Sequence, residues 1–209
     1  MNAKMNTDSG VAPIEFWFDF ASAYAYFAAL EIEALAGRRG RSVLWRPFTL
    51  GAAFKVTGAL GLSRTPLKAE YARHDWQRLS RLRGVAFKLP NRHPKVGLPA
   101  IRTFYHVERT DPHAAAQIAK HFIISYFRDE LDTDDPHAIA LQASLLGLDY
   151  DKILVGMTDP EVKAIARHHG EAAVARGVFG SPWIFVDGEP FWGSDRLAMV
   201  DEWLANGPW

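Results

Sequence analysis

Ser22 stands where a strand-like run, Ile14-Glu15-Phe16-Trp17-Phe18-Asp19-Phe20, gives way to an apolar, Ala-rich stretch from Tyr24 to Ala36. As plain structure it is a helix cap, since serine readily accepts a first-turn amide. The same place has a chemical use. A helix N-terminus presents free N–H groups and partial positive charge, which favours an anion beside it. A hydroxyl there can donate to a ligand thiolate and lower its pKa from about 8.5. The chain has no cysteine, so redox chemistry by the protein itself is excluded and any thiol must arrive with a ligand. As a nucleophile in its own right Ser22 lacks support. There is no G-x-S-x-G elbow, and none of the eight histidines lies in a telling context.

Two further groups carry polar chemistry. Ser181-Pro182 follows Gly180 and opens a strand, the place where a cis bond would turn the chain. That turn would leave the Ser181 backbone N–H and C=O open to a peptide-like ligand, as an added strand would be. In Ser194-Asp195-Arg196, the bland reading is again a cap with a local ion pair. The functional one gives Asp195 a ligand ammonium and the helix amides a carboxylate, which together describe an α-amino acid head. Lys68 can meet a second carboxylate, although a lysine on a basic helix is usually just solvated. His168 and His169 diverge on a helix and cannot share one ligand, so no metal site is expected.

The elements that must position these residues follow from periodicity and punctuation. Residues 14–20 and 42–48 read as strands flanking a helix of about 15 residues that Gly37 ends. This is a βαβ unit with parallel strands. From about 50 to 175 the pattern is helical. Asp111-Pro112, Asp135-Pro136 and Asp159-Pro160 each place a capping Asp before a Pro at the first helical position. Ala115, Ile118, Ala119, Phe122 and Ile123 form a helical stripe. A basic helix spans roughly 66–83 with Leu67, Tyr71, His74, Leu79 and Leu82. Residues 85–99, with Pro90, Pro94 and Pro99, read as an ordered loop. Strands 182–187 and 190–193 flank a turn at Asp187-Gly188-Glu189. A last helix starts at Ser194 and stops at Asn206-Gly207.

Composition narrows the classes. The chain has 209 residues, 48% hydrophobic and 23% charged, with a net charge of zero, so it can build a core and shows no attraction to nucleic acid or an anionic membrane. Residues 1–13 lack the apolar run of a signal peptide, and no stretch approaches the about 20 residues a membrane helix needs. A cytoplasmic protein with a flexible start at 1–13 is expected.

Phe18-Asp19-Phe20-Ala21-Ser22-Ala23-Tyr24-Ala25-Tyr26, Gly177-Val178-Phe179-Gly180-Ser181-Pro182 and Phe191-Trp192-Gly193-Ser194-Asp195-Arg196-Leu197 together resemble the 2-hydroxychromene-2-carboxylate isomerases. These are grouped with kappa-class glutathione transferases and DsbA-like disulfide oxidoreductases. Arg46-Pro47-Phe48-Thr49-Leu50-Gly51, the Pro66/Lys68/Tyr71 segment and Gly147-Leu148-Asp149 extend the match over 14–205. The resemblance implies an α/β, thioredoxin-like fold, β-α-β … β-β-α, with a large all-helical insertion. The thioredoxin-like part would comprise 14–50 and 175–209, and the insertion 51–174. It also implies a homodimer and glutathione bound across a cis-proline. By position, Ser22 matches the serine at the glutathione sulfur, and Ser181, with Pro182, the residue holding the cysteinyl part. Ser194 and Asp195 match the γ-glutamyl site, and Lys68 the residue near the glycyl carboxylate. The chain departs from the family at Ala23, where a proline is usual, and at Ala59 and Val96, where asparagines are common.

The implied activity is a glutathione-dependent cis-trans isomerisation of a chromene carboxylate or related unsaturated aromatic acid, by reversible thiolate addition. Lys68, Arg92 and Arg46 are cations available for the substrate carboxylate. Two rivals stand beside it. A kappa-type transferase would leave a stable thioether. A non-catalytic thioredoxin-like binding module would show no affinity for glutathione.

Overall fold

Alternation along strand β1 (Ile14–Phe18) sends Ile14, Phe16 and Phe18 to one face and Glu15 and Trp17 to the other. Both faces are covered. The first set joins the main core with Trp45, Ile184, Val186 and Phe191, and Trp17 joins a second cluster with Phe48, Val178, Trp183 and Phe185. The computed structural model describes residues 11–209, so most of the start expected to be flexible lies outside the described residues.

Strand β2 (Val43–Pro47) runs parallel to β1, with Ile14 opposite Val43 and Phe18 opposite Pro47. Strand β3 (Trp183–Val186) lies antiparallel on the other side of β1, and β4 (Glu189–Trp192) pairs antiparallel with β3 at the edge. The order β2-β1-β3-β4 is the expected β-α-β … β-β-α layout, with the crossover between β1 and β2 made by helices. Asp187 and Gly188, both at positive φ (53° and 93°), form a two-residue turn whose twist suits a hairpin. Strand β4 therefore starts at Glu189, which was expected in the turn.

The single crossover helix expected over Tyr24–Ala36 is two helices, α1 (Ala23–Ala29) and α2 (Ile32–Arg38). In an unbroken helix Glu31 N–H would donate to the Phe27 carbonyl. Instead it donates to Ala28 O, and Arg83, reaching in from a later helix, donates to Phe27 O at 3.1 Å while pairing with Glu31 at 2.8 Å. A side chain inserted into the ladder is a recognised cause of a kink. The stop also moves: Gly37 lies inside α2, and Gly40, at φ 65°, follows its end.

Seven helices then precede β3: α3 (Leu50–Thr57), α4 (Lys68–Arg83), α5 (Leu98–Glu108), α6 (Pro112–Tyr126), α7 (Pro136–Ser144), α8 (Tyr150–Thr158) and α9 (Pro160–Ala175). All three Asp-Pro starts hold. Asp111 accepts from Ala114 N–H, Asp135 from His137 and Ala138 N–H, and Asp159 from Glu161 N–H. The α6 stripe from Ala115 to Ile123 is fully buried. Helix α4 buries Ala72, Trp76 and Ser80 and leaves Leu67, Tyr71 and Leu82 exposed, so much of its expected apolar face looks outward. Residues 85–97 form the expected loop. After β4 a 3-10 turn, Ser194–Arg196, intervenes before α10 (Leu197–Asn206). The last helix thus starts three residues later than Ser194, and Ser194 is not its cap. Among the described residues no helix is long and apolar enough to cross a membrane.

Candidate functional site

The aromatic run ends at Phe18 because Asp19 turns its carboxylate back onto the chain. Its Oδ1 accepts from Ala21 N–H at 2.8 Å, and its backbone carbonyl accepts from Ser22 N–H at 2.9 Å. The turn delivers Ser22 as the cap of α1, with φ −92° and ψ 111°, its Oγ accepting from Ala25 N–H at 3.2 Å. The same hydroxyl donates to the Ser181 carbonyl at 2.8 Å. The cap and the cross-chain contact therefore coexist in one side chain.

Ser181 is bonded to this turn twice, since its Oγ also accepts from Asp19 N–H at 2.9 Å. The Ser181–Pro182 peptide bond is cis. Its carbonyl, which the sequence suggested would be open to a ligand, is already taken by Ser22. Pro182 in turn accepts from Gly193 N–H at 3.1 Å, which draws the Ser194–Arg196 turn alongside; that turn packs on α1. Gly193 sits at φ 111°, and a Cβ there would meet Asp195 Oδ1 at 2.4 Å, so only glycine lets the Asp195 carboxylate fold over the backbone. Asp195 is largely exposed and pairs with Arg196 at 2.9 Å, while Ser194 is buried.

Five of the six residues singled out in the sequence thus come together: Ser22, Ser181, Pro182, Ser194 and Asp195. Lys68 stands apart. It is exposed, and it begins α4 after a γ-turn in which Leu67, at φ 65°, lets Lys68 N–H donate to Pro66 O, a strained geometry. Helix α4 meets the site further along, where Tyr24 donates to Asp75 at 3.0 Å and packs on Trp76. Lys68 lies seven residues earlier, about 10 Å along the axis. Of the other cations, Arg46 is engaged by Glu108 at 2.5 Å, and Arg92 is exposed.

Electrostatics adds residues that sequence reasoning passed over. Burial pushes the Asp19 carboxyl up to about 6, against the amides of Leu50 and Ala21 that favour its ionised form, with Asp134 adding to the rise. Burial, then Asp75, pushes the Tyr24 phenol well above its ordinary value. His93 joins Ser63 Oγ (2.8 Å) to the Tyr126 hydroxyl (2.9 Å). Burial, then Arg73 and Arg64, brings it down to about 4, so it is neutral near pH 7. A visible signal existed for Asp19: a carboxylate between two phenylalanines at the end of an aromatic strand, three residues before Ser22. His93 gave none, because its partners come from two distant elements.

Against a γ-glutamyl-cysteinyl-glycine peptide the cluster would offer the Ser22 hydroxyl to the thiol and the exposed Asp195 carboxylate to an ammonium, while Ser194 is buried and Lys68 stands apart. A half-buried serine cap facing a proline loop, in a chain with no cysteine, marks a thioredoxin-like site without a thiol of its own. The model of the DSBA-like thioredoxin domain matches residues 13–205, and the chain belongs to that family. It is similar to a 2-hydroxychromene-2-carboxylate isomerase of Sphingobium xenophagum, 28% identical over 198 residues, covering 92% of this chain and 98% of that protein. It is also similar to glutathione S-transferase kappa 2 of Caenorhabditis elegans, 27% identical with 92% of each covered. A solved 2-hydroxychromene-2-carboxylate isomerase superposes with a TM-score of 0.81 at 22% identity, over 92% of this chain and 94% of that one. The family resemblance and fold class read from the motifs are borne out.

Proposed function

We propose that this chain is a glutathione-dependent isomerase of 2-hydroxychromene-2-carboxylate or a closely related unsaturated aromatic acid, acting in aromatic catabolism. The observation that carries the reading is the Ser22 hydroxyl, held at a helix cap 2.8 Å from the Ser181 carbonyl in a chain with no cysteine. The isomerase relatives match it nearly end to end. Glutathione, when bound, supplies a thiolate whose reversible addition makes a conjugated double bond single for long enough to rotate, with no net redox change.

The chain's own residues have separate tasks. Rotation of the Ser22 O–H away from the Ser181 carbonyl aims its proton at an anion beside the cap, while Ala25 N–H still holds the oxygen. Ser181 offers its backbone to the cysteinyl unit. Ser194 and Asp195 take the γ-glutamyl head, Asp195 giving up Arg196 for an ammonium. Lys68 takes the glycyl carboxylate from the edge of α4. Tyr24 is kept neutral by burial and by Asp75, so it orients a substrate without contributing charge. A homodimer in the cytoplasm completes the reading, with light scattering as its check.

A second reading, transfer of glutathione to an electrophile, is favoured by the kappa-class relative. Product analysis separates the two: an isomer with glutathione regenerated supports isomerisation, and a stable thioether supports transfer. Calorimetric titration with glutathione tests both. Absence of binding at millimolar concentration would leave a binding module without glutathione chemistry.

A further inference from the structure

We propose that Asp19 is the positioning residue of this site, a buried carboxylate whose ionisation sets how Ser22 stands against Ser181. The proposal rests on the reading of Ser22 as the residue that faces a ligand thiol. Four bonds converge on Asp19. Its carboxylate accepts from Ala21 N–H at 2.8 Å and from Leu50 N–H, at the start of α3, at 2.7 Å. Its backbone N–H donates to Ser181 Oγ at 2.9 Å, and its carbonyl accepts from Ser22 N–H at 2.9 Å. One residue therefore joins the end of β1, the Ser22 turn, the proline loop and α3.

Both carboxylate oxygens act as acceptors, an arrangement the ionised form satisfies best. Protonation turns one oxygen into a donor with reduced acceptor capacity, which weakens one of the two amide bonds. Release of Ala21 loosens the turn one residue before Ser22; release of Leu50 frees the turn from α3. The groups that bear on the carboxylate are few. Asp134, in the loop before α7, opposes its charge, and Asp19, ahead of Asp134, acts on the Tyr126 phenol of α6. Its bonded partners are the backbone amides of Ala21, Ser22 and Leu50 and the Ser181 hydroxyl. No cation offsets it among the groups that shift it. A buried, uncompensated carboxylate with a raised pKa, here about 6, works against stability, and such groups gather at functional sites. The pH window of the clamp is then mildly acidic: closed above about 6 and loosening below it.

Leu50 allows a single-bond test. It is the first residue of α3, after Thr49 in extended geometry, where proline is tolerated and merely lacks the N–H. Leu50→Pro deletes one donor to Asp19, and Leu50→Ala, which keeps that donor, controls for lost packing. Leu50→Pro and Asp19→Asn should each weaken glutathione binding about tenfold and shift the pH at which the bound thiol ionises, with Leu50→Ala within about twofold of the unmodified protein. Leu50→Pro matching Leu50→Ala in affinity and pH profile would overturn the proposal. A second readout needs no glutathione. In the unmodified protein the amide resonances of Ala21, Ser22 and Leu50 should titrate together with a midpoint of about 6, and the midpoint should vanish in Asp19→Asn. Amides that do not titrate together sink the clamp even if glutathione binds. Co-titration without any glutathione binding would keep the clamp and remove the proposed function.

Discussion

Ser22 Oγ donates to the Ser181 carbonyl at 2.8 Å across 159 residues of sequence, while accepting from Ala25 N–H in the first turn of α1. This bond joins the two halves of the candidate site. It leaves the hydroxyl one rotation away from a bound anion.

Ser22→Ala removes the cap and the cross-link together. Stability should fall by about 1–2 kcal/mol in denaturant unfolding. The pKa of bound glutathione, read by thiolate absorbance, should rise towards about 8.5. Ser181→Ala deletes only the acceptor of Asp19 N–H and keeps the carbonyl, so it should cost about 1 kcal/mol and less activity. Full turnover and an unmoved thiol pKa in Ser22→Ala would contradict the proposed mechanism.

Gly180 has no room for a side chain, because an added Cβ would stand 2.0 Å from Trp192 Nε1. Trp192 is 54% exposed and meets Phe179 edge to face, with ring centroids 4.7 Å apart. Gly180→Ala must therefore displace the indole or move the proline loop, at about 1–3 kcal/mol. In a double-mutant cycle Trp192→Ala should recover most of that loss. An additive cycle would show that the loop backbone, not the indole, resists the methyl.

Desolvated groups shape the acid limb of stability, and their signs differ. Burial holds His93 and His169 down at about 4. Stability that is full above the ordinary 6.5 is lost as pH falls through the folded value, because the unfolded chain takes protons first. Asp19 runs the other way. Raised from 3.8 to about 6, it costs stability when ionised, and the protein recovers that contribution between about 6 and 3.8. His106 is held down by burial as well, and three histidines oppose one raised carboxylate, so unfolding free energy should fall from pH 7 to about 4.5. Asp19→Asn should steepen the fall, and His93→Gln should flatten it, as urea titrations across this range would record.

Arg83 holds the break between α1 and α2 through Phe27 O and Glu31. Arg83→Met keeps the aliphatic length and removes both contacts. It should destabilise by about 1–3 kcal/mol, because the carbonyl belongs to a fully buried residue and is left to find a weaker partner. A change below about 0.5 kcal/mol would mean that the break is set by packing alone.

Much of the site was legible in linear order because its parts are local. A serine after a strand caps a helix whatever follows, and Asp-Pro pairs start helices through their own backbone. Gly37 misled for the opposite reason. Glycine permits a stop, but where the helix breaks depended on a guanidinium arriving from α4. Lys68 shows the same limit. Its charge is in the sequence, yet its distance from the proline loop depends on how α4 leans on Tyr24.

The sequence by itself determined the strand order's raw material, the helix caps and the absence of a thiol, since these depend on residue type and near neighbours. Only the tertiary structure decided that Ser22 and Ser181 share a hydrogen bond, that Asp19 binds both loops and that Arg83 splits the crossover helix. Each of these is a contact between groups far apart in the chain. Their meeting is fixed by the packing of β1, β3, α3 and α4 around two apolar clusters rather than by any local preference.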